Sequence, residues 1–129
     1  MVGMVVLPDD NSVVSSSADR SVSVYDFRVA STTVSSAKLS FMHSSLPSSV
    51  ALSPTSESQI ITGSYDGVAR LWDLRSTKSA VASFKVWNGE QKILSVDAAS
   101  SSGSGIVGVG GEGGLELWRV GKTATVTAT

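Results

Sequence analysis

Cysteine is absent from the 129 residues. Its absence removes disulfides, thiolate nucleophiles and the usual structural zinc sites together, and fits a reducing compartment such as cytosol or nucleus. Aromatic residues make up only 6% of the chain, so a large aromatic core is excluded, and serine supplies about a fifth of all positions. The formal net charge is -1, and nowhere do five like charges run together, which argues against a polyanion-binding arm or an acidic tail. No window carries a sustained helical stripe. The opening run Met1 to Leu7 is apolar but has no basic leader, and it meets Pro8-Asp9-Asp10 too early for a signal peptide or a membrane span.

What is present is internal repetition. Ser15 to Arg28, with Asp19, Tyr25 and Asp26 inside it, aligns without gaps on Thr62 to Arg75, which carries Asp66, Trp72 and Asp73. A third copy, Gly108 to Val120, places Glu112 six residues before Trp118, the spacing that separates Asp66 from Trp72. Each copy follows a short β-branched run, Val13-Val14, Ile60-Ile61 or Ile106-Val107, and an earlier apolar run, Met4 to Leu7, Val50 to Leu52 or Ile93 to Val96. Period-two alternation surrounds each aromatic. One more strand is expected after each, over Lys38 to Phe41, Val81 to Val86 and Thr123 to Thr127, whereas Ser31 to Ser36 and Ser100 to Ser104 read as exposed loops, the second as an insertion. Four short strands in ~45 residues is the period of a β-propeller blade. The expected fold is therefore all-β, with three four-stranded blades over residues 1–42, 43–87 and 88–129 and an incomplete ring.

The run Ser64-Tyr65-Asp66-Gly67-Val68-Ala69-Arg70-Leu71-Trp72-Asp73-Leu74-Arg75 resembles a WD repeat, the unit of WD40 β-propellers. Upstream, Phe41-Met42-His43 and Val50-Ala51-Leu52-Ser53-Pro54 keep the family's spacing, with Met42 in place of a glycine. Tyr25 replaces the tryptophan in the first copy, and Gly108 and Glu112 replace the hydroxyl residue and the aspartate in the third, so the outer blades read as degenerate. The segment Trp72 to Asp97 and the run Gly108 to Val120 further resemble the C-terminal blades of the WD-repeat subunit of the PeBoW complex. That resemblance implies a non-catalytic scaffold in large ribosomal subunit maturation. The implied partners are a block-of-proliferation-type and a pescadillo-type subunit on a pre-ribosomal particle, with RNA contacted only through them and no cofactor or small-molecule substrate. It also implies a nucleolar and nucleoplasmic location and a C-terminal piece of a seven-bladed ring.

By the same resemblance His43, Thr62, Asp66 and Trp72 form a structural tetrad in which the indole donates, the hydroxyl mediates, the imidazole bridges and the turn carboxylate accepts. A catalytic reading of His43 and Asp66 would need a nucleophile and an oxyanion site beside them, and the sequence names neither. The run Gly108-Val109-Gly110-Gly111-Glu112-Gly113 matches G-x-G-x-x-G literally, but a strand continues where a phosphate cradle would open a helix. A glycine hairpin with positive φ is the expected structure there. Trp72-Asp73-Leu74-Arg75 also resembles the box of cullin-RING ubiquitin ligase substrate receptors, so a generic WD adaptor is the alternative function. Tyr65, in the turn before Asp66, and Arg75 are candidate partner-binding residues. So is Trp87, which faces either a neighbouring blade or an external partner.

Overall fold

The computed structural model describes residues 3–7, 12–26, 39–43, 45–54, 58–76, 80–87, 91–101, 104–120 and 126–128. They form twelve strands in three antiparallel sheets of four. The first sheet is β1 (Gly3–Val6), β2 (Ser12–Ser16), β3 (Ser21–Asp26) and β4 (Leu39–Met42). The second is β5 (Pro47–Leu52), β6 (Gln59–Ser64), β7 (Val68–Asp73) and β8 (Ala82–Lys85). The third is β9 (Ile93–Ser101), β10 (Ser104–Gly111), β11 (Gly114–Val120) and β12 (Val126–Ala128). Strand order follows chain order in every sheet, so each is a meander of hairpins. β1 lies beside β5 and β5 beside β9, which stacks the three meanders on one another. The expected all-β fold is the fold observed, and the ring is open.

Alternation explains the stacking. In β6, Ile60 and Ile61 are both fully buried, yet Ile60 joins the cluster shared with the first sheet and Ile61 the cluster shared with the third. In β7, Trp72 faces the first sheet while Ala69 and Leu71 face the third. A strand with apolar residues at successive positions has to bury both faces, and the central sheet does so by sitting between its neighbours. The first seam contains Val14, Val22, Val24, Phe41, Val50, Ile60 and Trp72. The second seam has at its centre Leu71, Phe84, Val86, Ile93, Val107 and Val109.

One expectation is corrected. Ser100 to Ser104 is not an inserted loop: β9 extends to Ser101, β10 begins at Ser104, and the two residues pair directly. A serine-rich run reads as loop by composition, but the backbone of Ser101 and Ser104 completes the ladder. The segment Ser31 to Ser36 lies outside the described residues.

Candidate functional site

The β6–β7 hairpin is the best-formed turn. Gly67 takes a φ of 77°, a left-handed conformation open to glycine at little cost, and its N–H donates to Ser64 O at 3.2 Å. Asp66 accepts from the Ser64 hydroxyl, from Val68 N at 3.1 Å and from Arg70 Nη2 at 2.8 Å. Burial works to raise its carboxyl, but the Arg70 guanidinium, the Ser64 hydroxyl and the Val68 amide outweigh it and hold it below the usual carboxylate range. In the first hairpin Asp19 accepts from Ser21 N at 2.9 Å and from the Ser21 hydroxyl at 2.6 Å, which also lowers its pKa, the hydroxyl contributing most. In the third, the longer Glu112 reaches out of its own turn and accepts from Lys92 N at 2.8 Å.

Three of the four tetrad residues meet in the first seam. The Trp72 indole donates to Thr62 Oγ1 at 2.9 Å, and Thr62 Oγ1 lies 2.9 Å from His43 Nε2. His43 Nδ1 lies 3.0 Å from Ser45 O, a carbonyl that only accepts, so Nδ1 carries the proton and Nε2 accepts from Thr62. The relay thus runs Trp72 to Thr62 to His43 to Ser45, each hydrogen used once. Burial, with Arg70 adding repulsion, pushes the imidazole down to about 4, which keeps it neutral in the one tautomer that completes the relay. Asp66, the fourth member, is taken up by Arg70 and Ser64 in its own turn, while the imidazole turns to the Ser45 carbonyl. The Phe41 and Trp72 ring centroids stand 4.7 Å apart across the seam.

The second seam repeats this frame with other residues. Phe84 packs against Trp118 at 4.5 Å, as Phe41 does against Trp72. Val86 N donates to Gly67 O where His43 N donates to Arg20 O, so Val86 stands in the place of His43. The hydroxyl position also differs from what the alignment implies. Five residues lie between the pair Gly63 and Ala69, but only Glu112 and Gly113 lie between Gly111 and Gly114. Trp72 therefore pairs with Ile60 and has Thr62 two positions on, whereas Trp118 pairs with Val107 and has Val109 two positions on. Gly108, aligned with Thr62 by sequence, instead pairs with Leu117. With valine at both places, the buried Trp118 Nε1 has no hydrogen-bond partner among the described residues.

The remaining candidates are scattered. Tyr65 is 38% exposed, and the Lys92 ammonium sits 4.8 Å from its ring centroid, a cation–π contact between the second and third sheets. Trp87 is half-buried and packs onto the second seam, and a Cβ on Gly113 would run into its ring, so glycine is needed there. It faces the neighbouring sheet. Arg75 lies just past the other end of β7, with its Nη2 2.7 Å from Asp73 Oδ2 and its Nε 3.0 Å from Asp73 Oδ1. This fork holds the Asp73 carboxyl at about 2, while the Arg75 side chain is 74% exposed. Tyr25 pairs with Val13, and Asp26 closes β3. The glycine run passes from β10 through the turn into β11 and opens no helix; its left-handed residue is Gly114, at φ 108°. Among the described residues no group of three or more His, Asp or Glu could hold a metal ion.

Comparison with known proteins agrees with this frame. The family described as "WD domain, G-beta repeat" matches residues 2–26 and 35–73. The chain is 53% identical over 124 residues to the ribosome biogenesis protein YTM1 of Laccaria bicolor, covering 95% of this chain and 26% of that protein. It is 46% identical to the protein of the same name from Coprinopsis cinerea, over 88% of this chain and 24% of the relative. It is 37% identical over 89 residues to the ribosome biogenesis protein WDR12 homolog of Ixodes scapularis, covering 68% of this chain and 20% of that protein. The chain thus spans about a quarter of the length of the curated relatives it matches.

Proposed function

The chain belongs to the WD40-repeat family, and on that premise we propose that it is a non-catalytic scaffold in ribosome biogenesis. The observation that carries the reading is the 53% identity, over 95% of its length, to a protein named for ribosome biogenesis. The geometry supports a binding role: the His43–Thr62–Trp72 relay is buried and fully used in holding two sheets together, and the polar turns are locked by their own carboxylates. Rigid turns on a stacked-sheet frame present fixed side chains to a macromolecular partner at low ordering cost.

In this reading the blades are residues 1–42, 43–87 and 88–129. The partners are proteins of the block-of-proliferation and pescadillo types on a precursor of the large ribosomal subunit, met in the nucleolus and nucleoplasm. Tyr65 and Arg75, at opposite ends of β7, are the proposed contact residues. Affinity purification of the tagged chain from cell extract tests this. Recovery of pre-ribosomal proteins with precursor rRNA is expected, reduced several-fold by Tyr65→Ala or Arg75→Ala; recovery of a cullin-ligase adaptor instead would overturn the reading.

A further inference from the structure

The inner strands of adjacent sheets are joined by a polar contact at the second seam, and the same place at the first seam is built differently. At the second seam Ser49 Oγ accepts from Val96 N at 3.1 Å, which ties β5 to β9. At the first seam Val50 takes the place of Val96: Val50 pairs with Thr62 and Val96 with Val109, and each valine is buried in its own seam. Ser53 N donates to Gln59 O, and alternate residues of an antiparallel ladder carry its bonds, so the N–H of Val50 points away from β6. Among the described residues it has no acceptor. Gly3 stands where Ser49 stands, because Gly3 pairs with Ser16 as Ser49 pairs with Gly63. Serine and glycine have changed strands. Ser16 is fully buried on the same face of β2 as Val14, and its hydroxyl has no hydrogen-bond partner among the described residues. A Cβ on Gly3 would lie 3.2 Å from Ser16 Oγ and 3.5 Å from Val50 N, with nothing closer.

We infer that the first seam binds one water molecule between Gly3, Ser16 and Val50, which accepts from Val50 N and donates to Ser16 Oγ. Buried water takes up polar groups that the protein leaves unsatisfied, and it needs at least two of them. Both are here, on opposite sides of a space that the side chain of Gly3 would otherwise fill. The N–H in its wall excludes a cation, and its size excludes a larger ligand. The water does at the first seam what the Ser49 hydroxyl does at the second, carrying a bond between inner strands of neighbouring sheets. This inference does not depend on the ribosomal reading, and the site lies wholly between two sheets that the chain itself supplies.

Magnetisation transfer from water to the amides of the isotope-labelled chain tests it. A cross-peak with the sign of long-held water is expected at the Val50 N–H. Gly3→Ala puts a methyl group in the space and leaves Ser16 in place, and it is expected to abolish that cross-peak while the other amides of the second sheet stay dispersed. Absence of the cross-peak from the unaltered chain would overturn the proposal. So would a cross-peak of unchanged size in Gly3→Ala, because the transfer would then come from the exchanging Ser16 hydroxyl. Should Gly3→Ala fail to fold, diffraction from the unaltered chain decides: an ordered oxygen within about 3 Å of both Val50 N and Ser16 Oγ is expected, and a direct bond between those two atoms would overturn the proposal.

Discussion

Phe41 packs against Trp72 at the first seam and Phe84 against Trp118 at the second, both as tilted ring pairs at nearly equal distances, yet the residues beside the two tryptophans differ in kind. Histidine and threonine complete a relay at the first seam, where the Trp72, Thr62 and His43 hydrogens each have an acceptor. At the second seam valines stand in both places and the indole N–H finds no acceptor among the described residues. One backbone frame thus accepts either a satisfied polar network or an apolar filling. The costly state is the mixed one, a buried donor among hydrocarbons, which forfeits about 1–3 kcal/mol.

Removing Thr62 has the largest expected effect on this contrast. Thr62→Val strips the acceptor from Trp72 and the donor from His43 at once, and a loss of roughly 2–4 kcal/mol is expected in urea unfolding. The same measurement on Val109→Ala, which removes methyl groups from the second seam, checks that polar loss and cavity formation are separable.

Acid comes next. His43 is held at about 4 in the folded chain against 6.5 when unfolded, so the unfolded state binds the extra proton between these values. Its contribution is complete above pH 6.5 and is lost as pH falls through 4. Between pH 7 and pH 5 the loss is about 2 kcal/mol, at about 1.4 kcal/mol per pKa unit. His43→Val/Thr62→Val, which gives the first seam the valines of the second, is expected to flatten that slope in unfolding curves taken at each pH.

Exchanging tryptophan for phenylalanine sharpens the contrast further. Trp72→Phe breaks a satisfied bond and is expected to cost about 1–2 kcal/mol, whereas Trp118→Phe deletes an orphan donor and is expected to be near neutral in the same assay. The smallest effect is a gain: Val109→Thr offers Trp118 the missing acceptor, and a stabilisation of about 0.5–1 kcal/mol is expected. A loss instead would show that the introduced hydroxyl fails to reach the indole.

Much of the fold was legible because each strand pair carries its own signal: β-branched runs, a turn acid, then an aromatic. The matching of the seams was less so. Fixed spacing put Gly108 in the place of Thr62, but turn length sets register, and a two-residue turn in the third hairpin moves Val109 there instead. Counting forward from His43 by the 46-residue repeat lands on Gly89, yet the backbone puts Val86 in that role. Asp66 was legible as a turn acceptor, but its choice of Arg70 over the imidazole was not, since it depends on which long side chain reaches it. The Lys92 contact on Tyr65 joins adjacent sheets, and the sequence carries no local signal for it.

The ring nitrogens of His43, followed by nuclear magnetic resonance from pH 7 to pH 3, test the relay most directly. The Nδ1–H tautomer is expected to persist until protonation near pH 4, with the Trp72 indole proton protected from exchange and the Trp118 proton shifted as a non-bonded donor. An imidazole that titrates near 6.5, or that carries its proton on Nε2, would contradict the relay as the device that joins the first two sheets.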